Sequence, residues 1–214
     1  MKIDCVVIGA AGMGTRLNHK VPKALVSIRN GKKIIDYQME MLKNINDIRI
    51  VVGYKAKELS AHIRNNYPDV EIVYNNSYKT TSICYSLYLA TKDLNKPYVA
   101  MCSDLLINKE EFNNFLNSFN DEPLLGITYS KTEDSIYASI NSDKVVSFQR
   151  NSPSNYEWAN IACVCEPIKI NKNATTMFSQ FEKYFPLKYF LFDNCFEIDT
   201  NNDLQFALEN LNKL

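Results

Sequence analysis

Arg16 and Lys23 are the two residues whose setting points most directly to chemistry. Arg16 closes a glycine-rich run, Gly9-Ala10-Ala11-Gly12-Met13-Gly14-Thr15-Arg16-Leu17, and Lys23 follows in Pro22-Lys23-Ala24-Leu25. Residues 3–8 are an apolar run rich in Val and Ile, which reads as a short buried strand. The glycines after it let the backbone turn sharply and approach an anion closely, so that its amides can face phosphate oxygens. Arg16 can fork onto two oxygens while Lys23 acts as a mobile point charge. Together they suit a triphosphate and the charge that builds on a departing pyrophosphate.

Two other glycine loops also follow strands, and neither fits. A Walker loop needs Gly-x4-Gly-Lys-Ser/Thr, but Gly14 is followed by Thr15 and Arg16. The dinucleotide fingerprint needs a third small residue where Leu17 stands. A glycine turn alone is a weak signal. Arg16 and the downstream Pro22-Lys23 are what make this one specific.

Three carboxylates and several polar residues could complete a site. Asp104 follows the apolar stretch 98–101, which places it at the carboxyl end of a strand, where open α/β sheets bind ligands. Glu197 and Asp199 lie in Phe196-Glu197-Ile198-Asp199-Thr200, where strand alternation puts both carboxylates on one face. Helix capping by Asp199 or Thr200 is the competing reading. Ser82 and Ser86 open a helix after Asn75-Asn76, where free amides favour an anion or a base carbonyl; capping explains them equally well. Tyr156, Glu157 and the sole Trp, Trp158, are adjacent. Tyr156 and Trp158 are either part of an aromatic cage or core packing. Arg150 is either a carboxylate reader or an exposed surface residue.

The elements that must carry these residues alternate. Residues 34–44 and 56–66 have helical spacing, while 47–52 and 70–74 read as strands, a pattern that predicts a parallel sheet. A helix capped by Thr81 or Ser82 follows, then a strand at 98–101. From 124 the pattern changes to short strands at 125–129, 137–140 and 145–148, a meander over the site, with strand character resuming at 159–164. Residues 174–185 and 201–211 read as helices.

The chain has 214 residues, 46% of them hydrophobic, enough for one sizeable core and short for two. One domain over 1–214 is expected, with a β-rich acceptor-binding part at about 124–165. Twenty-four basic residues balance 24 acidic ones, and no basic run tracks a nucleic-acid backbone. Six scattered cysteines and two histidines suggest neither a zinc site nor a disulfide framework. No stretch reads as a leader or a bilayer span, so a cytoplasmic protein without a membrane partner is expected.

The opening loop with its Pro-Lys resembles the signature of the nucleotidyltransferase family, Ala-Ala-Gly-x-Gly-Thr/Ser-Arg-Leu. Residues 35–38, 51–54, 75–78 and 85–90 extend the likeness to the small cytidylyltransferases that activate phosphocholine and similar phosphorylated amines or phosphonates. The resemblance implies a GT-A-like, Rossmann-like α/β fold with a mixed, mostly parallel sheet. It also implies CTP as donor and a small phosphorylated acceptor such as phosphocholine or L-glutamine phosphate, the latter in capsular phosphoramidate biosynthesis. Mg2+ would be held by Asp104, Asp199 and Glu197. Ala10, Ala11, Gly12, Gly14, Thr15, Arg16, Lys23, Ser82 and Ser86 would bind nucleotide; Arg150, Tyr156 and Trp158 would bind acceptor. Two departures stand out: Gly9 replaces the family's usual Leu, and Thr80-Thr81-Ser82 stands where phosphocholine enzymes carry Asn. A sugar-1-phosphate nucleotidyltransferase and a non-catalytic nucleotide sensor remain alternatives.

Overall fold

A computed structural model describes residues 3–17, 20–131 and 135–214. Its first half alternates strands and helices as the sequence predicts. β1 (Cys5–Ala10) leads through turns at Thr15–Leu17 and Lys23–Leu25 to the ribbon β2 (Ser27–Arg29) and β3 (Lys32–Lys33), then α1 (Ile34–Met41) and β4 (Asp47–Val52). Next come α2 (Ala56–Asn66), β5 (Glu71–Tyr74), α3 (Ile83–Thr91), β6 (Tyr98–Cys102) and β7 (Leu105–Ile107). After α4 (Lys109–Asn117) follow β8 (Leu124–Tyr129), β9 (Tyr137–Asn141), β10 (Lys144–Gln149) and β11 (Tyr156–Val164). The chain finishes with β12 (Lys188–Phe192), β13 (Cys195–Glu197) and α5 (Asn201–Glu209).

Among the described residues one nine-stranded mixed sheet carries the fold, with the path β10-β9-β11-β6-β1-β4-β5 and β8 and β12 joined beyond β11. The half β6-β1-β4-β5 is parallel. Every residue of β1 is buried, as expected for a strand covered on both faces. One face packs Ile35 and Met39 of α1, Leu59 and Ile63 of α2 and Phe112 and Phe115 of α4 against the sheet. The other receives Leu87 and Ala90 of α3 together with Trp158, Phe148 and Phe181.

A third, smaller apolar cluster does the positioning that matters here. Leu17, Val26 and Ile34 from the opening segment meet Leu106 of β7, Phe196 of β13, Ile198 just after it, and Ala207 of α5. β13 pairs antiparallel with β7, Glu197 opposite Leu105, and the Ile198 amide donates to the Asp104 carbonyl at 3.0 Å. The tail of the chain is thereby fixed beside the end of β6.

The strands expected between 124 and 165 are present and extend the same sheet; residues 132–134 of that stretch lie outside the described residues. Beyond the strands β7 and β12, for which the sequence reading had no counterpart, two elements differ from expectation. The helix expected at 174–185 is instead two short 3-10 turns, Phe178–Gln180 and Glu182–Tyr184. The hydroxyl of Ser179 donates to the Thr176 carbonyl, and the Gln180 side chain turns inward to accept from the Asn171 amide. Such local bonds offer the backbone an alternative to a continuous helix. The second difference is α4, absent from the sequence reading although Asn108 caps it by accepting from the amides of Glu110 and Glu111.

Candidate active site

The glycine run leaves β1 at the centre of the parallel half. Gly14 has φ +59°, a conformation that favours glycine, and Leu17 closes the following turn by donating its amide to the Gly14 carbonyl at 3.2 Å. The loop is braced from below, where the Tyr54 amide donates to the Ala11 carbonyl at 3.0 Å. That approach requires Gly53: a Cβ there would lie 2.7 Å from Tyr78 Cβ and 2.8 Å from the Ala11 oxygen.

Asp104 sits in the turn after β6. Gln38 of α1, itself buried, pins the segment by donating Nε2 to the carbonyls of Cys102 and Leu105, each at 3.0 Å. The Ser103 amide reaches the Gly9 carbonyl at 3.1 Å. The turn is therefore held to both α1 and β1.

The carboxylates of Asp104, Glu197 and Asp199 converge, each offering an oxygen within 4.8 Å of the others. Lys23 Nζ bridges Asp104 and Asp199, at 2.8 Å from Asp104 Oδ2, while Arg16 Nη2 lies 2.5 Å from Asp199 Oδ2. Burial alone would lower the Lys23 pKa, but the two aspartates outweigh it and hold the ammonium above the ordinary lysine range. Glu197 shows surface to the cavity, yet the protein closing around it, and then Asp104 and Asp199, push its carboxyl well above the usual carboxylate range. Two cations thus face three acidic groups.

The capping ambiguity at the tail is resolved by geometry. Thr200, not Asp199, caps α5 by accepting from the Asp203 amide at 3.2 Å, and Asp203 in return accepts from the amides of Thr200 and Asp199. The Asp199 side chain is left for the cluster.

These groups line one cavity of about 900 Å³. Ala10, Gly12, Gly14, Arg16 and Lys23 border it on the loop side, and Asp104, Glu197 and Asp199 border it at the centre. Thr15 borders a smaller cleft beside Arg16 and Lys23. Ala11 lies buried beneath the loop. Arg150 and Trp158 line the far side.

Besides Ala11 and Thr15, three expected site residues are not brought into the cavity lining. Ser82 caps α3 and donates its hydroxyl to the Ala174 carbonyl at 2.5 Å. Ser86 is buried and accepts from Asn75 Nδ2 at 2.9 Å. Both hydroxyls are committed to fixing the start of α3. Tyr156 lies against Tyr129, ring centroids 5.7 Å apart, outside the lining. Trp158 reaches the cavity but is 3% exposed, with its ring against Phe148 at 5.2 Å and Phe181 at 5.6 Å. Tyr156 and Trp158 therefore do not form an aromatic cage; the Trp is a core residue with one edge on the cavity.

The far side also contains groups to which the sequence reading gave no role. Glu157 accepts from the Lys131 amide and the Ser135 hydroxyl, and burial raises its carboxyl pKa. Lys131 Nζ donates to Thr128 Oγ1 and the Cys195 carbonyl. Asn160 lines the cavity from the middle of β11. A signal existed for it, because Asn is depleted in strand interiors.

A parallel half-sheet with a glycine turn, paired cations and converging carboxylates at its strand ends defines a Rossmann-like protein built to hold a polyphosphate. Residues 6–153 match the MobA-like NTP transferase domain, more than half of the chain, and the protein belongs to that family. It is 43% identical over 115 residues to the choline-phosphate cytidylyltransferase of Streptococcus pneumoniae, covering 51% of this chain and 48% of that protein. It is 36% identical over 107 residues to the CTP:phosphoglutamine cytidylyltransferase of Campylobacter jejuni, covering 48% and 41%. In these two alignments the chain spans about half of each relative's length. The solved CTP:phosphocholine cytidylyltransferase from Streptococcus pneumoniae superposes with a TM-score of 0.80 at 26% identity, over 99% of this chain and 100% of that one. The inositol-1-phosphate CTP transferase from T. maritima, at 18% identity and TM-score 0.80 over 100% and 96%, shares the fold.

Proposed function

We propose that the protein transfers a cytidylyl group from CTP to a small phosphorylated amine or amino acid and releases pyrophosphate. The observation that carries this reading is the meeting of Arg16 and Lys23 with Asp104 and Asp199 beside the glycine loop. Cytidine as the base is supported by the relatives that carry out CTP chemistry by name.

The carboxylate cluster fits a divalent cation. Asp104 Oδ1 is buried without a hydrogen-bond partner, an expensive state for an oxygen unless an electropositive partner completes it. Asp104, Asp199 and Glu197 would hold Mg2+, a hard ion that prefers oxygen ligands and, when bound, screens the repulsion between two phosphate groups.

This chain's own residues account for the remaining work. The loop backbone receives the triphosphate. Lys23 and Arg16 exchange their carboxylate partners for phosphate oxygens and offset the charge on the leaving pyrophosphate. An acceptor phosphate is already ionised at neutral pH, so no protein nucleophile or general base is needed; the site positions and stabilises. Residues 124–165 form the acceptor side, with Arg150 at its wall. An amino-acid-like phosphate such as L-glutamine phosphate suits that wall better than phosphocholine, because Arg150 can pair with a carboxylate and Tyr156 and Trp158 do not enclose a quaternary ammonium. Its use of CTP would place the protein in the cytoplasm, and no helix among the described residues is long and apolar enough to cross a membrane.

The test is a matrix of the four nucleoside triphosphates against phosphocholine, L-glutamine phosphate, 2-aminoethylphosphonate and glucose 1-phosphate, following pyrophosphate. CTP with a phosphorylated amine or amino acid should give the fastest release, dependent on a divalent cation. A preference for glucose 1-phosphate would redirect the reading to nucleotide-sugar synthesis, and no release in any well would leave a nucleotide-binding protein without this activity.

A further inference from the structure

Asn160 stands inside β11 yet has φ +54°, in the left-handed region. An L residue there costs about 1–2 kcal/mol relative to ordinary backbone, and Asn is one of the few that tolerate it. The strain accompanies a break in strand register. Trp158 faces Ile127 on β8 and Ala162 faces Leu125, so residues 159–161 oppose Gly126 alone. Gly126 makes room for this bulge: a Cβ there would lie 2.4 Å from Ile161 Cγ2 and 3.0 Å from the Ile161 oxygen.

The other edge of β11 shows what the bulge achieves. β11 stays on β6 from Ile161 to Val164, with Ile161 opposite Met101, and leaves it at Asn160 to meet β9 at Glu157. Continuing the register would place Asn160 beside Cys102, two residues before Asp104. The sheet therefore opens next to the carboxylate cluster, and Asn160 lines the cavity at the opening. Its carboxamide has no hydrogen-bond partner among the described residues. Bulges often re-aim a side chain beside an active site.

We propose that Asn160 is an acceptor-binding residue whose carboxamide N–H donates to the phosphoryl end of the phosphate or phosphonate acceptor. This rests on the cytidylyl-transfer reading above. The nucleotide approaches from the glycine loop on β1, whereas Asn160 belongs to the strand that also brings Trp158 to the far wall. Glycine would relax a backbone at φ +54°; the residue here is instead Asn, and it lines the cavity.

Asn160→Gly suits the same backbone conformation and deletes the side chain with its carboxamide, while Asn160→Asp keeps the shape and replaces the donor with a like charge. In Asn160→Gly we expect a melting temperature equal to or above wild type, a CTP KM within twofold, and a KM for the best organic-phosphate acceptor of the matrix raised at least tenfold. Asn160→Asp should raise acceptor KM further. Acceptor binding is read independently of turnover from the fluorescence of Trp158, the only Trp in the chain. The acceptor dissociation constant should rise at least tenfold in Asn160→Gly. An acceptor KM and dissociation constant within twofold of wild type, or a rise confined to the CTP KM, overturns the assignment while leaving cytidylyl transfer intact. Absence of pyrophosphate release by wild type, with acceptor binding still weakened in Asn160→Gly, overturns the transfer reading instead.

Discussion

Lys23 spans the two carboxylates expected to lie at the reacting centre, and its replacement separates charge stabilisation from ground-state binding. Its ammonium contacts both Asp104 and Asp199. Removing one preorganised donor to a developing charge typically costs roughly 10²–10³ in turnover. Lys23→Ala should therefore lower kcat by about that factor while changing CTP KM by less than about tenfold, since Arg16 and the loop amides remain. Steady-state pyrophosphate release checks both numbers; an unchanged kcat removes Lys23 from the mechanism. The loop and its cations were legible in the sequence because they are contiguous or nearly so, and their residue types admit few other uses. Asn160 was legible only as an Asn within a strand, because its meaning depends on a register break with a strand 31 or more residues earlier in the chain. Trp158 is a different case: residue type left cage and core packing both open, and the surrounding rings place it in the core.

The elements support the site through bonds far from the cavity, and α1 is the clearest case. Gln38 holds the turn of Asp104, and two residues earlier Asp36 anchors α1 itself. Asp36 accepts from His62 Nε2–H, with nitrogen and oxygen 2.6 Å apart, from the Tyr67 hydroxyl at 2.9 Å and from the Lys33 amide at 2.8 Å. Burial alone would raise the Asp36 pKa, but these partners outweigh it and hold the carboxyl below its ordinary value of 3.8. An acid with a lowered folded pKa contributes stability that is full above the unfolded value and lost as pH falls through the folded one. Asp36→Asn should therefore cost about 1.5–3 kcal/mol at pH 7, the range for hydrogen bonds to a charged group. The gap from wild type should narrow as pH drops below 3.8. Urea unfolding at pH 7 and pH 3 measures it; a gap of equal size at both would show that the charge is immaterial. At this scale the first half was legible because caps and apolar periodicity are local. Residues 174–185 were misread because Phe178, Phe181 and Phe185 recur at helical spacing, although that spacing here serves contacts with Phe148 and Trp158.

For the whole molecule, convergence of the distant carboxylates depends on the cluster joining Leu17, Leu106, Phe196 and Ala207, and on the pairing of β13 with β7. The sequence contained both acidic motifs, but their proximity is a property of that packing and of no local pattern. It makes a prediction about linkage. A ligand that binds only the folded state adds RT ln(1 + [L]/Kd), about 2.7 kcal/mol at one hundred times Kd. For a chain of this size each kcal/mol shifts the melting temperature by roughly 2–4 °C. Saturating CTP with Mg2+ should therefore raise it by about 5–10 °C. The rise should depend on the cation, because without it the triphosphate faces Asp104, Glu197 and Asp199 with only Arg16 and Lys23 to compensate, and those cations are already engaged by the aspartates. Thermal melts of CTP with Mg2+ and of CTP with EDTA decide the matter: most of the shift should vanish in EDTA, and an equal shift in both would mean that the nucleotide binds without engaging the carboxylates.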